Sequence, residues 1–422
     1  MHRLTRFGSQ PGLGRIVSLL DAMGNPQHNL QYVHIAGTNG KGSTSLIIAE
    51  ILSKTGCRVG RFISPHLHSY LERISIDGVN ISAAQLGSIL DEIDGHIQIM
   101  LHRGEGHPTE FEVLTAAAFR YFQQQQVDLA VLEVGMGGTY DSTNVITPQV
   151  AVITGVDFDH TAFLGDTLGE IAANKAGIIK PGVPVVVGAV NSEALQVISE
   201  TARALQSPLY HSDDIKVIPS GPATLQGQTV DLDGPGLQLK GLAFAMPGTY
   251  QLRNLAVAMR ALLVLRDQGL AIDADSIRSA LAGVRIPGRL EIVNQSPLVI
   301  VDAAHNPQGA RALAESLNDL LPGRGKVLVL GLLDDKERTG IAAALAENTR
   351  AVVVTRPQGS RSQAWQEVGQ IWQRDFPMIR IEVAENIELA VERAVGVLTG
   401  SEYMVITGSF YVIDRARRIF VK

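Results

Sequence analysis

A glycine-rich loop near the start of the chain constrains the fold more than any other stretch. Residues 31–36 form an apolar run that predicts a strand, and Gly37-Thr-Asn-Gly-Lys-Gly-Ser-Thr44 follows it directly. Apolar residues then recur at helical spacing over residues 45–55, and Gly56 ends the predicted helix. A strand, a glycine-rich turn and a helix in this order direct several backbone N–H groups at one point, which suits a polyphosphate.

The residues of this loop have separate predicted roles. Three glycines allow a tight turn and a close approach of the backbone to phosphates: Gly37, Gly40 and Gly42. Lys41 can reach the outer phosphates, and the hydroxyl of Ser43 or Thr44 can face a magnesium ion. The spacing departs from the common phosphate-loop pattern, because a glycine separates the lysine from the hydroxyl. The flanking strand and helix still favour a nucleoside triphosphate site over a turn that binds nothing.

Composition limits the remaining possibilities. The 422 residues are enough for two or three domains, and 42 glycines with 45% hydrophobic residues suit an α/β protein with many tight turns. A net charge of −6 argues against a general binder of nucleic acid or anionic membranes, and the longest apolar runs are strand-sized. The single cysteine, Cys57, is expected to be a small buried residue. With no apolar signal-peptide core at residues 1–8, the chain is predicted to be cytoplasmic.

Polar residues follow three predicted parallel strands in the first half of the chain. Ser64 follows a strand at residues 58–63, Glu133 interrupts the apolar run 129–134, and His160 follows a strand at residues 150–155. Because the carboxyl ends of parallel strands share one edge, the three side chains are expected to converge near the glycine-rich loop as magnesium ligands. Histidine is an unusual ligand for magnesium, so a hydrogen-bonding role for His160 is equally compatible with the spacing.

Lys175 lies late in a helix predicted at residues 168–177. The pattern alone favours a solvated lysine that interacts with the negative end of the helix dipole.

In the second half of the chain the predicted alternation of strands and helices is interrupted and then resumes. Short runs separated by glycine and proline over residues 215–248 predict a small antiparallel sheet, and the Pro287-Gly288 pair predicts a domain boundary. The expected domains are therefore residues 1–286, with a mostly parallel sheet plus the small antiparallel sheet, and residues 287–422, a second open α/β domain. Three polar strand ends of the second domain, at residues 302–306, 331–336 and 408–411, should share one edge.

Several motifs occur in a characteristic order. They are Gly-Thr-Asn-Gly-Lys-Gly-Ser, Ser-Pro-His-Leu, Glu-Val-Gly-Met-Gly-Gly, Asn-Lys-Ala-Gly-Ile-Ile, Pro-Gly-Arg and Asp-Ala-Ala-His-Asn-Pro. Together they resemble the folylpolyglutamate synthases, including the bifunctional dihydrofolate synthases, within the Mur ligase superfamily. The segments Phe-Glu-Val-Leu-Thr-Ala-Ala-Ala-Phe and Ile-Thr-Gly-Ser-Phe-Tyr narrow the resemblance to the folate branch.

This resemblance implies an N-terminal ATPase domain, a smaller Rossmann-like C-terminal domain, and catalysis in the cleft between them. It assigns ATP binding to Gly37, Thr38, Asn39, Gly40, Lys41, Gly42, Ser43, Thr44, Asn254, Arg289 and Asp302. It assigns magnesium to Ser64, Glu133 and His160, and it implies that Lys175 is carbamylated and ligates a second magnesium ion.

The implied reaction is an ATP-dependent ligation through an acyl phosphate. Glutamate would be added to the γ-carboxylate of a (tetrahydro)folate, and dihydropteroate could also be joined to glutamate. Ser409 and Tyr411 would bind the incoming glutamate, and His305 or a nearby carboxylate would take the proton from its amine. The expected partners are these small molecules and ATP, with no nucleic acid or membrane, and the chain is expected to be a monomer.

Two positions depart from the family pattern. Ala303 replaces the usual glycine, and residues 137–144 lack the Gly-Gly-Arg form common in bifunctional members. The alternatives are a Mur-type amino-acid ligase acting on a cell-wall precursor and a binding protein switched by a nucleotide. No additional N-terminal precursor-binding domain is expected, which disfavours the first alternative.

Overall fold

A computed structural model of the chain describes residues 12–421. These residues form two compact units. Unit 1 contains the described residues up to Ile218 together with Val230–Ala243 and Arg253–Val284. Unit 2 contains Pro219–Thr229, Phe244–Leu252 and the described residues from Arg285 onward. The predicted domains 1–286 and 287–422 stay a prediction.

Strands and helices alternate along most of the described chain. The strands are β1 Gln31–Ala36, β2 Val59–Phe62, β3 Ile74–Ile76, β4 Val79–Asn80, β5 Leu129–Glu133, β6 Val150–Ile153, β7 Val185–Val187, β8 Leu209–His211, β9 Lys216–Pro219, β10 Gln228–Gly234, β11 Leu237–Phe244, β12 Glu291–Gln295, β13 Leu298–Val301, β14 Lys326–Leu330, β15 Thr349–Thr355, β16 Arg380–Ala384 and β17 Tyr403–Thr407. The α-helices are α1 Gly14–Ala22, α2 Lys41–Lys54, α3 Ala83–His102, α4 Glu110–Gln124, α5 Thr161–Leu164, α6 Leu168–Ala176, α7 Ser192–Ala204, α8 Thr249–Asp267, α9 Ala274–Gly283, α10 Pro307–Leu320, α11 Arg338–Leu345, α12 Glu367–Asp375, α13 Ile387–Val397 and α14 Phe410–Phe420.

The large sheet of unit 1 places the phosphate-loop strand near its centre. Within the described residues the strand order is β4-β3-β2-β5-β1-β6-β7-β8. Strand β1 pairs in parallel with β5 and β6, and β5 pairs in parallel with β2. The register sets Ile35 opposite Glu133 and Ala36 opposite Ile153. The carboxyl ends of β2, β5, β1 and β6 therefore lie side by side at one edge, as the sequence predicted.

Helices pack on this sheet through apolar side chains. One buried cluster joins α1, α3 and α4 to β1, β2 and β5, and a second joins α6 and α7 to β6 and β7. Helix α4 begins with a capping box, in which Thr109 Oγ1 accepts from Glu112 N and the Glu112 carboxylate accepts from Thr109 N. Helix α3 was not predicted, although its Ser82–Gln85 capping box is a sequence signal that could have located it.

Helix α2 begins at Lys41, not at residue 45 as predicted. The Gly40 carbonyl already accepts a hydrogen bond from Thr44 N at 2.9 Å, so the helical bonds start within the loop itself. The glycine-rich loop and the first turn of α2 are therefore one continuous structure.

Unit 2 contains an open sheet with strand order β12-β13-β17-β14-β15-β16 in the described residues. Strand β12 is an antiparallel edge strand, and the remaining pairs are parallel. The predicted polar strand ends lie together, because β13, β17 and β14 are neighbours.

Strands β9, β10 and β11 form the small predicted antiparallel sheet, which confirms the mixed α/β fold class.

No helix among residues 12–421 is both long enough and apolar enough to cross a membrane.

Candidate active site

The phosphate loop is shaped so closely around two neighbours that only glycine fits at two positions. Gly37 and Gly40 have positive φ angles of 151° and 87°. A Cβ at Gly37 would lie 1.9 Å from Thr154 Oγ1, and one at Gly40 would lie 2.4 Å from Asn254 Oδ1. Thr154 Oγ1 also donates to Asn39 O at 2.6 Å. The structure thus brings Asn254, predicted to bind the nucleotide, into contact with the phosphate loop.

The side chains at the start of α2 suit an anionic ligand. Lys41 Nζ donates to Gly37 O at 2.9 Å and to Thr38 O at 3.2 Å, so the cation lies over its own loop. Ser43 and Thr44 are buried in the first turn, and Thr44 Oγ1 has no hydrogen-bond partner within the described chain. A buried hydroxyl without a partner is costly unless a ligand satisfies it. The loop therefore fits a phosphate with an associated cation.

The predicted magnesium ligands lie at neighbouring strand ends. Glu133 is the buried last residue of β5, and Ser64 follows the end of β2. His160 precedes α5 with a positive φ of 52°, and its Nε2 lies 3.9 Å from Asp159 Oδ1. No cluster of three or more His, Cys, Asp or Glu in residues 12–421 could hold a metal ion. The predicted set contains one carboxylate, one imidazole and one hydroxyl, so it is not a cluster of that kind and stays a prediction.

Lys175 is buried, with only 2% of its surface exposed, although the sequence pattern favoured a solvated side chain. That interpretation is therefore wrong, and the loop at residues 137–144 packs against the backbone of Asn174 and Lys175 at this end of α6. Burial, together with the charge of Lys41 and against the opposing effect of Asp159, lowers the pKa of the Lys175 amine to about 7. A large fraction of this amine is consequently neutral near pH 7.

The candidate residues of unit 2 surround one carboxylate and one aromatic ring. Buried Asp302 accepts hydrogen bonds from Leu290 N at 2.9 Å and Ala304 N at 2.8 Å. Burial raises the pKa of Asp302, and the Arg289 guanidinium opposes that rise. Arg289 lies 5.3 Å from the centre of the Phe410 ring. The two predicted nucleotide contacts, Arg289 and Asp302, are thus neighbours.

Phe410 was not predicted as a site residue. The centre of the Phe410 ring lies 6.2 Å from the centre of the His305 ring. Phe410 is therefore a neighbour of both Arg289 and His305. The only sequence signal was its position between Ser409 and Tyr411. His305 Nδ1 lies 2.7 Å from Ala303 O, which assigns the proton to Nδ1 because a carbonyl can only accept. A neutral His305 therefore carries its basic lone pair on Nε2.

The two residues predicted to bind glutamate have opposite environments. Ser409 is 3% exposed and caps α14 by accepting from Val412 N at 3.3 Å. Tyr411 is 47% exposed and lines a cavity of about 470 Å³ with residues that include Arg356, Asn386 and Arg415. The cap accounts for Ser409 without a ligand, whereas Tyr411 is available to one. Their roles in glutamate binding stay a prediction.

Cys57 is half-buried, not buried as expected, because it lies in the turn between α2 and β2.

Comparisons with known proteins agree with the resemblance read from the motifs. Residues 35–262 match the Mur ligase middle domain, and residues 288–410 match the Mur ligase glutamate ligase domain. The dihydrofolate synthase/folylpolyglutamate synthase of Bacillus subtilis is 34% identical over 99% of this chain and 97% of its own length. The Mycobacterium tuberculosis protein of the same name is 36% identical over 97% of this chain and 90% of its own length.

Solved structures give the same result. The Mycobacterium tuberculosis folylpolyglutamate synthase complexed with ADP and AMPPCP has a TM-score of 0.93 and 35% identity, covering 100% of this chain and 97% of its own. E. coli FolC in complex with DHPP and ADP has a TM-score of 0.87 and 28% identity, covering 99% of this chain and 95% of its own. This chain therefore belongs to the Mur ligase family, in its folylpolyglutamate synthase and dihydrofolate synthase branch.

Proposed function

We propose that this chain is an ATP-dependent ligase that adds glutamate to the γ-carboxylate of a (tetrahydro)folate through an acyl phosphate. The observation that carries the proposal is the phosphate loop with Lys41 beside buried Lys175, in a chain that resembles folylpolyglutamate synthases over almost its whole length. The solved relatives with ADP bound support the use of ATP.

Residues 37–44 would bind the phosphates of ATP, with Lys41 stabilising the charge on the group that is transferred. Asn254 contacts this loop through Gly40, which supports a role for it in nucleotide binding. Arg289 and Asp302 would bind the phosphates and the ribose. The two residues are neighbours in unit 2, where the Arg289 charge acts on Asp302.

Two magnesium ions are part of the proposal. Ser64, Glu133 and His160 would hold the first, and the unpartnered hydroxyl of Thr44 supports a cation beside the phosphate loop. Lys175 would hold the second as a carbamate, because an ammonium group cannot bind a cation whereas a carbamate has two anionic oxygens. A carbamate forms from a neutral amine and carbon dioxide, and the lowered pKa of Lys175 supplies that neutral form. Magnesium bound at these residues would offset negative charge on the transferring phosphoryl group.

The reaction consists of two transfers. A carboxylate oxygen of the folate attacks the γ-phosphorus of ATP, and the bond from that phosphorus to the ADP oxygen breaks. The glutamate amine then attacks the carbonyl carbon of the acyl phosphate, and inorganic phosphate leaves. His305 Nε2 or a carboxylate would take the proton that the amine loses. Water must be excluded while the acyl phosphate exists, because it would hydrolyse this intermediate.

A second activity, the joining of dihydropteroate to glutamate, uses the same chemistry on a different acid. Relatives named dihydrofolate synthase/folylpolyglutamate synthase and a solved relative with DHPP bound favour it. The cytoplasmic location and the monomeric state stay predictions.

One experiment tests both activities. Purified protein is given ATP, magnesium and glutamate with either tetrahydrofolate or dihydropteroate, and the products are identified by mass spectrometry. ADP release that needs both the acid and glutamate is the expected result. ADP release independent of glutamate would favour a nucleotide-switched binding protein, and ligation of only a cell-wall precursor would favour another Mur-type ligase.

A further inference from the structure

The loop at residues 137–144 is hydrogen-bonded to the end of helix α6, where Lys175 lies. The last carbonyls of a helix have no partner within it, and a late lysine often interacts with them. Here Gly177 N donates to Asn174 O at 3.3 Å, and the loop supplies further donors. Thr139 donates to Asn174 O through both its backbone N, at 2.9 Å, and its Oγ1, at 3.0 Å. Asn144 Nδ2 donates to Gly177 O at 3.0 Å.

The contact between the loop and the helix end leaves no space for additional atoms. A Cβ at Gly138 would lie 2.6 Å from Asn174 O and 2.9 Å from Lys175 O. One at Gly177 would lie 2.0 Å from Thr139 Oγ1. The loop backbone therefore rests directly on the last turn of α6, and a shift of one segment requires a shift of the other.

A buried hydrogen-bonded chain fixes the loop to the central strand β1. Asp141 Oδ1 accepts from Thr143 N at 3.0 Å and from Thr143 Oγ1 at 2.6 Å, and Asp141 Oδ2 accepts from Met136 N at 2.9 Å. Because Thr143 gives its hydroxyl proton to Asp141, Thr143 Oγ1 accepts from His34 Nε2 at 2.8 Å. His34 is fully buried in β1, the strand that leads into the phosphate loop. The 137–144 loop is thus anchored to the same strand that positions Lys41.

The consequence concerns the direction of one side chain. Because Thr139 and Asn144 of the loop donate to Asn174 O and Gly177 O, the Lys175 amine does not have to donate a hydrogen bond to these carbonyls. The amine instead interacts electrostatically with Lys41 of the phosphate loop and with Asp159, which precedes His160. We propose that Thr139 and Asn144 are positioning residues, which hold the end of α6 so that the Lys175 side chain is directed toward the phosphate loop. This inference rests on the proposed role of Lys175 as a carbamate.

The test compares two threonine-to-valine variants of the full chain. Thr139→Val removes the Oγ1 donor at almost constant volume, whereas Thr139→Ser keeps a hydroxyl donor at this position. The matched control is Thr349→Val, since Thr349 Oγ1 likewise donates to a carbonyl at the end of a helix, Leu345 O of α11 in unit 2; Thr349 is buried and Thr139 is half-buried. Both valine variants lose the same kind of bond, so an equal change in thermal midpoint is expected for them.

The readout is the carbamate itself. Each protein is equilibrated with ¹³C-bicarbonate, and the ¹³C carbamate resonance is assigned to Lys175 by its loss in Lys175→Ala. We expect Thr139→Val to lower both the carbamate signal and kcat roughly tenfold, as is typical of residues that orient a metal ligand, with KM for ATP unchanged. Thr139→Ser and Thr349→Val should retain the signal.

The outcomes separate this inference from the proposed function. A parent protein without the resonance overturns the carbamate at Lys175 and, with it, the positioning role. A parent with the resonance whose Thr139→Val variant keeps both signal and kcat overturns only the positioning role. A signal that falls equally in Thr139→Val and Thr349→Val also overturns it, because the loss would then reflect general destabilisation.

Discussion

Two buried lysines lie in different regions of the molecule, and their surroundings differ more than their burial does. Lys175 lies in the last turn of α6 in unit 1, and Lys326 is the first residue of β14 in unit 2. Both are almost inaccessible to solvent. Burial lowers the pKa of Lys175 to about 7 and that of Lys326 to about 8.

The surroundings of the two amines differ. Lys326 Nζ donates to Glu347 O, and the Glu347 charge opposes the lowering of its pKa. It also lies at the amino end of a parallel strand, whereas ligands of open α/β sheets bind at the carboxyl ends. Lys175 has a cation, Lys41, among the groups it interacts with, and its helix-end carbonyls are occupied by Thr139 and Asn144. A buried lysine with a partner is structural, and one held beside another cation suggests chemistry.

The largest expected effect is the loss of turnover in Lys175→Ala. If Lys175 ligates a metal ion as a carbamate, its removal costs several kcal/mol of transition-state stabilisation, which corresponds to a fall in kcat of roughly a thousandfold. Lys326→Met should keep kcat per folded molecule within about twofold, because it lies outside the site. Glutamate-dependent ADP release measures both. Equal losses in the two variants would remove the distinction drawn between the two lysines.

Lys41→Ala should be the next most damaging change. It removes the cation that faces the transferring phosphate, so we expect kcat to fall roughly several hundredfold while the circular dichroism spectrum is unchanged. Because the charge of Lys41 also lowers the pKa of Lys175, that pKa should rise in the variant. Near-normal ligase rates in Lys41→Ala would contradict the assignment of residues 37–44 to the phosphates.

Glu133→Gln tests whether the strand ends beside the phosphate loop bind a metal ion. The substitution keeps the shape of a magnesium ligand and removes its charge, so half-maximal activity should need at least roughly tenfold more magnesium. Glu347→Gln, beside Lys326, is the matched control and should leave the magnesium titration unchanged. A titration of Glu133→Gln that overlays that of the parent would make Glu133 a structural residue.

The smallest effect on turnover is expected at Lys326, whose contribution is a pH dependence of stability. Its pKa is about 8 when folded and near the ordinary 10.5 when unfolded, so the unfolded chain binds more protons between these values. The free energy of unfolding should therefore rise with pH from about 8 to 10.5. Lys326→Met should lack this contribution, and urea midpoints of both proteins across that range measure the difference. An identical pH dependence in the two proteins would mean that Lys326 is not titrating in the folded state.

Local patterns in the sequence determined most of the candidate site. The strand, glycine-rich loop and helix at residues 31–54, and the polar residues after β2, β5 and β6, were predicted because each signal spans only a few neighbouring residues. The order of the parallel strands then places Ser64, Glu133 and the phosphate loop at one edge of the sheet. The membership of the Mur ligase family followed from the same motifs and is confirmed by the comparisons.

Only the tertiary structure decided which side chains are covered, because burial depends on segments that are distant in sequence. The pattern around Lys175 describes an ordinary helix end, and no feature of residues 168–177 shows that the 137–144 loop will occupy its carbonyls. Likewise, the two neighbours Ser409 and Tyr411 share one motif, yet the first is buried as a helix cap and the second is exposed. Hydrogen bonds and packing between separate segments determine these environments, and a one-dimensional pattern does not contain them.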